Sequence, residues 1–291
     1  YEQEHASVRI VDTHTNIVQI EKNWQVIFED KTTSLELKAD HSALIMKQIW
    51  DFSQTVDIDD VKEILDRQIA CNMAIANEGI HNSYGANIGH VILNMDSDCV
   101  KTRAKAYAAA GSDARMNGCE LPVVINSGSG NQGITCCVPV VVYAKELDCT
   151  QEQLYRALVL SNLTAIYIKT GIGTLSAFCG AVSAGAAAGA GIAYLHNGTY
   201  KEIQHTIVNA LAILSGTICD GAKASCAAKI ASSVDAGIMG YYMYKNKQQF
   251  YAGDGIVAHS VDETIQNIGT LGSQGMLQTN DKIIEMMISC D

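Results

Sequence analysis

The sequence predicts an α+β protein: residues 41–291 form a mainly helical catalytic domain, and residues 1–40 are the remnant of a small β-containing domain. Three observations carry this. Apolar and polar residues alternate with a β-rich composition only within the first 30 residues. From about Leu44 onward the apolar residues recur at helical spacing, with Asp, Ser or Thr ahead of several runs. Prolines, which interrupt helices, are confined to Pro122 and Pro139.

The elements follow in order. "SVRIVDTHTNIVQI" and "WQVIFED", separated by the turn-like "EKN", predict a strand pair. "ALIMKQIWDF" predicts a first helix, and "DIDDVKEILDRQIACNMAIANEG" a second, capped by Asp57 or Asp59 and stopped at Gly79. Further helices are expected at 98–110, 135–147, 151–169, 174–195, 199–216, 222–244, 257–270 and 280–289. No residue is charged between Lys169 and Lys201, so that interval is tested as a membrane span. Its centre, "SAFCGAVSAGAAAGAGIAYL", is mostly Gly, Ala and Ser and lacks the Leu, Ile and Phe that drive insertion. It predicts a close-packed central helix of a soluble protein, with small residues letting neighbouring backbones approach.

Charge and cysteine usage exclude several functions. A net charge of −11, from 31 acids and 20 bases with no basic cluster, argues against nucleic acid as a partner. The 10 cysteines sit in a long chain without a signal segment, two of them adjacent at Cys136 and Cys137. That usage fits a reducing cytoplasm with free thiols or metal ligands. The chain opens on Tyr1 with no initiator Met, and a segment upstream of it is expected.

"GSGNQGITCC" at 128–137 is glycine-rich like a phosphate loop but has no lysine, so a Walker loop is excluded. G-x-G-x-x-G does match at Gly128, Gly130 and Gly133, yet no βαβ alternation follows. What remains is a set of free N–H groups at a helix start, suited to a small anion such as a carboxylate, or simply a tight turn.

Cys179, Cys219 and Cys226 lie in Gly- and Ala-rich surroundings. Cys219 and Cys226 are seven positions apart, which on an unbroken helix separates their Cα atoms by about 10 Å. That is wide for one zinc ion, with Zn–S bonds of about 2.3 Å, and better suited to an iron–sulfur cluster, especially if Asp220-Gly221 bends the chain. Spacing alone still favours ordinary buried thiols for these three cysteines, and favours them more strongly for Cys71, Cys99, Cys119, Cys136, Cys137, Cys149 and Cys290. His14, His81, His90 and His259 are candidate bases or satisfied polar residues. Lys223 and Lys229 flank Cys226 and are candidates to hold a carboxylate.

Six stretches carry a resemblance: "HTNIV" at 14–18, "SDARMNG" at 112–118, "NSGSGNQGIT" at 126–135, "LSAFCGA" at 175–181, "ICDGAKASCAAK" at 218–229 and "GIVAHSVDETI" at 255–265. Over essentially its whole length the chain resembles the iron–sulfur L-cysteine desulfidases, relatives of the α-chain of bacterial L-serine dehydratase. The resemblance implies a [4Fe–4S] cluster on Cys179, Cys219 and Cys226, with one iron open to substrate. It also implies a lyase that converts L-cysteine to sulfide, ammonia and pyruvate, or, as the alternative, deaminates L-serine. The substrate carboxylate is then expected at Ser127, Ser129, Gly130 and Asn131, and His259 is the candidate base. The family's upstream Gly-Cys-Thr-Glu-Pro segment has no counterpart here. The expectation is therefore a fragment, or the partner of a second polypeptide, inactive alone; a structural or regulatory subunit is the rival. A homo-oligomer in the cytoplasm, with no membrane or nucleic-acid partner, completes the expectation.

Overall fold

Alternation at the N-terminus builds strands, and helical periodicity builds everything after it. The computed structural model describes residues 4–11, 16–30, 41, 43–173 and 176–289. His14, Leu175 and Cys290 therefore lie outside the described residues. The chain divides into two units, Tyr1–Ser42 and Ala43–Asp291, and its class is mainly helical α+β.

The first unit is a three-stranded antiparallel sheet in the order β1 (Ala6–Ile10), β2 (Ile17–Lys22), β3 (Gln25–Glu29). The expected strand pair is thus corrected, since "SVRIVDTHTNIVQI" supplies two strands rather than one. Ala6 pairs with Lys22 and Val8 with Ile20, and the register shifts at Arg9/Ile10. The β2–β3 hairpin turns on Asn23 and Trp24, at φ 49° and 68°. Two left-handed residues in succession match the twist of the flanking strands. The turn therefore falls one residue later than "EKN" suggests.

The second unit contains α1 (Met46–Thr55), α2 (Ile58–His81), α3 (Ile88–Met95), α4 (Val100–Met116), α5 (Gly130–Glu146), α6 (Gln151–Ile172), α7 (Gly180–Leu195), α8 (Tyr200–Ile213), α9 (Cys226–Lys245), α10 (Val261–Thr270) and α11 (Leu277–Ile288), with a π-helical turn at Leu271–Gly275. Asp57 caps α2 by accepting from the Asp59 amide. Thr150 and Thr199 form reciprocal capping boxes with Gln153 and Glu202 on α6 and α8. α2 does not stop at Gly79. A Cβ there would lie 2.1 Å from the Ala110 carbonyl oxygen, so Gly79 serves the close approach of α4 rather than a helix end. α3, which sequence periodicity missed, is short and starts from Asn87 in the left-handed region, at φ 51°.

α7 is the centre of the bundle and packs against α5, α6, α8 and α9. Every residue from Ala181 to Ala193 is buried. It starts at Gly180 rather than near 174, because Phe178 instead pairs with Ile218 in an isolated antiparallel bridge. No helix among the described residues is long and apolar enough to cross a membrane.

Candidate active site

The glycine-rich stretch folds as a tight turn running directly into α5. Asn126 and Ser129 exchange both backbone hydrogen bonds, at 3.1 and 3.0 Å, while Ser127 and Gly128 take φ of 49° and 78°. Ser129 caps α5 by accepting from the Gln132 amide at 3.4 Å. The helix therefore begins at Gly130, not near 135 as expected, and the second and third glycines lie in its first turns. Each glycine of the G-x-G-x-x-G match has a structural reason, conformational at Gly128 and steric at Gly130 and Gly133. Gly128 supplies the positive φ. A Cβ at Gly130 would lie 2.2 Å from Arg115 Nε, and one at Gly133 would lie 2.0 Å from the Val124 carbonyl oxygen.

A buried amide network fixes this turn. Asn162 Oδ1 accepts from Gln68 Nε2 at 2.9 Å and from Asn126 Nδ2 at 3.0 Å, and its own amide donates to Gln68 Oε1 at 2.8 Å. Asn72 pins the approach to the turn by bonding both the amide and the carbonyl of Val124, at 2.8 and 3.2 Å. The α5 N-terminus is thus presented on a rigid loop, with Arg115 Nη1 donating to Asn131 Oδ1 at 3.2 Å. Arg115 forms no ion pair with a carboxylate among the described residues. A cation and a helix N-terminus side by side suit a small anion.

The three singled-out cysteines collect at one end of the bundle. The Cys179 amide donates to Thr217 at 3.1 Å and the Cys219 amide to Ala177 at 2.7 Å, either side of the Phe178–Ile218 bridge. The two residues are diagonal neighbours on the same face of that bridge. Cys179 draws the Cys219 thiol down to about 6, assisted by the Gly221 amide and by Lys229 and Lys169, while Cys179 itself is pushed up. Gly221, at φ 99°, bends the chain between Cys219 and Cys226. Cys226 opens α9, its sulfur 3.6 Å from the Gly221 carbonyl oxygen. Lys229 acts electrostatically on all three thiols. Both Lys229 and Lys223 are taken up by Asp220, whose carboxylate they hold at about 2. The two lysines singled out as candidates to hold a carboxylate are thus both paired with a carboxylate of the protein itself. Met287 of α11 lies beside Gly221, within 3.8 Å of where its Cβ would be.

Among the described residues, no three His, Cys, Asp or Glu side chains surround a single point at the range of one metal ion. In donor type and charge the thiols still fit a soft, multi-iron group: three sulfurs, one already inclined to the thiolate, beside a lysine. Cys136 and Cys137, by contrast, are fully buried and pushed up by burial, Cys136 to about 12. They are packing residues.

The turn and the cysteines adjoin through one side chain that sequence reasoning missed. Gln132, on the first turn of α5, lies against Gly180, where a Cβ would be 2.6 Å from its Nε2. Gly180 directly follows Cys179. Lys169 was also missed; it is 7% exposed beside the cysteines, and burial lowers it against the pull of Cys219 and Cys179. His259 is not brought to the cysteines by the contacts of its own helix. It is exposed at the start of α10, its amide donating to Glu263 at 3.1 Å. The other end of α10 and the π-helical turn reach Gly171 and Phe178, about 15 Å along the helix. His81 and His90 bond the carbonyls of Asn77 and Ile80, at 2.7 and 2.6 Å. A surface concavity lined by Trp50, Gln54, Tyr194 and Thr199 lies at the opposite end of α7 and holds none of these residues.

The family model described as serine dehydratase alpha chain matches residues 7–285. The chain belongs to the serine dehydratase alpha-chain family. Relatives within it are UPF0597 proteins: that of Desulfitobacterium hafniense is 57% identical and covers 99% of this chain, which spans 68% of it. That of Lachnoclostridium phytofermentans is 52% identical over 97% of the chain and 68% of its own length. The Treponema denticola protein is 46% identical over 96% of the chain and 67% of its own length. No solved structure matches this member of the serine dehydratase alpha-chain family.

Proposed function

We propose that this chain forms the active centre of an iron–sulfur lyase of the serine dehydratase type. It removes the β-substituent and the amino group of a small L-amino acid: L-cysteine yields sulfide, ammonia and pyruvate, and L-serine yields ammonia and pyruvate. The observation that carries the proposal is the contact of Gln132 with Gly180, which sets an anion-receiving helix start beside three cysteines. The family membership agrees with it.

Cys179, Cys219 and Cys226 are the proposed ligands of a [4Fe–4S] cluster. When bound, a cluster with one iron free of protein ligands supplies a Lewis acid toward the substrate's oxygen or sulfur. The protein's own residues do the rest. Ser127, Ser129, Gly130 and Asn131 receive the substrate carboxylate at the α5 N-terminus, with Arg115 adding charge. His259 is the proposed base for the α-proton, on the strength of its motif rather than its place. Loss of the α-proton and β-substituent leaves an enamine, whose tautomerisation and hydrolysis give pyruvate and ammonia without further help.

The description as an alpha chain also supports a second polypeptide or further segment as partner. The test is an anaerobic assay of sulfide from L-cysteine and pyruvate from L-serine, on this chain after reconstitution and on a chain extended to its relatives' length. Product from either substrate is expected in the extended form, with His259→Ala abolishing it while visible absorbance stays intact. Absence of product from both substrates in both forms contradicts the proposal, and turnover by His259→Ala removes that residue from the base role.

A further inference from the structure

Gln132 carries an unanswered hydrogen bond. The residue is 5% exposed, and its amide oxygen Oε1 is buried with no partner among the described residues. Buried polar atoms of this kind are nearly always paired, so an unpaired one beside a proposed reaction centre points to a ligand that brings the donor. The amide sits against Gly180 and thus next to Cys179.

The donors of a small amino acid are few. Its carboxylate has no hydrogen to give. Its α-ammonium does, but Gln132 is the third residue of α5 and Gly180 the first of α7, so two helix N-termini meet at this amide. Both place partial positive charge there and disfavour a cation. A neutral β-hydroxyl meets no such penalty, and it belongs at the cysteine end of the substrate, where the leaving group must lie. A thiol donates only weakly.

We infer that Gln132 Oε1 accepts the hydrogen bond of the substrate's β-hydroxyl, which makes Gln132 the residue that favours L-serine over L-cysteine. This rests on the β-elimination proposed above. A site built around a hydroxyl partner discriminates strongly against the analogue that lacks it.

The test compares binding of L-serine and L-alanine, which differ only in the hydroxyl, by calorimetry on the reconstituted protein, alongside kcat/KM for L-serine and L-cysteine. Wild type is expected to bind L-serine at least about tenfold tighter than L-alanine. Gln132→Met should narrow that preference about tenfold, and its kcat/KM should fall about tenfold or more for L-serine but little for L-cysteine. Gln132→Glu, which keeps an acceptor, should keep the preference. A Gln132→Met protein whose serine preference is undiminished from wild type, or that loses both substrates in parallel, overturns the inference. So does a Gln132→Glu protein that loses the preference. Wild-type protein that binds neither amino acid and turns over neither substrate overturns the β-elimination reading itself.

Discussion

Cys179 and Cys219 sit diagonally on one face of the bridge between Phe178 and Ile218, and each acts on the other's thiol. Cys219 is drawn down to about 6 by Cys179, the Gly221 amide and two lysines, while Cys179 is pushed up. In the metal-free chain, Cys219 should therefore be alkylated by iodoacetamide at neutral pH, alongside the exposed Cys99, whose thiol Thr102 draws down. Cys179→Ala removes the largest stabilising contact on the thiolate, so the pH of half-maximal alkylation should move up toward the ordinary thiol value of about 8.5. An unchanged alkylation profile would mean that the two thiols do not interact.

Gly185 and Gly237 let α7 and α9 touch backbone to backbone: a Cβ at Gly237 would stand 2.2 Å from the Gly185 carbonyl oxygen. On a free helix Gly→Ala stabilises by up to about 1 kcal/mol. Here Gly237→Ala should instead destabilise by about 1–3 kcal/mol or more, because two helices must separate. The sign of the shift in a urea-denaturation midpoint decides the matter.

Asn162 holds the turn through Asn126 and is itself held by Gln68. Asn162→Ala leaves those buried amides short of partners, at about 1–3 kcal/mol for each unpaired group. Lower stability together with a raised KM for the amino acid is expected. Full stability in this variant would show that water replaces the network.

Glu202 ties pH to stability. Its carboxyl is held below its ordinary value by the Thr199 amide and hydroxyl and by Lys245, within the α8 capping box. Because the folded-state value is the lower one, the stabilisation is fully present above about pH 5 and is lost as pH falls through the folded value. Glu202→Gln should cost under about 1 kcal/mol at pH 7 and flatten the acid limb of a stability-versus-pH curve. An acid limb identical to wild type would exclude the linkage.

Much of this was readable from the residues. Small residues at 180–193 announced a close-packed central helix, and the Gly128–Gly133 run announced a turn at a helix start, because composition and φ requirements are local. Helix ends set by tertiary contacts were not readable. Gly79 looks like a stop until Ala110 packs on it, and the start of α7 depends on a bridge to residue 218, far along the chain. Gln132, Arg115 and Lys169 escaped notice for a related reason. A glutamine in a glycine turn, or an arginine and a lysine within helices, gains meaning only from what folds against it. Arg115 lay inside "SDARMNG" and Gln132 inside "NSGSGNQGIT", so a search for isolated polar residues within those motifs would have found both.

The central claim is that Cys179, Cys219 and Cys226 jointly hold an iron–sulfur cluster. The most direct measurement is the iron and acid-labile sulfide content of the chain after anaerobic reconstitution, for wild type and for each cysteine replaced by alanine. About four iron and four sulfide per wild-type chain, with a large loss in every variant, is the predicted result. Zinc or no metal in the wild type, or full iron retained after any one of the three substitutions, would contradict it.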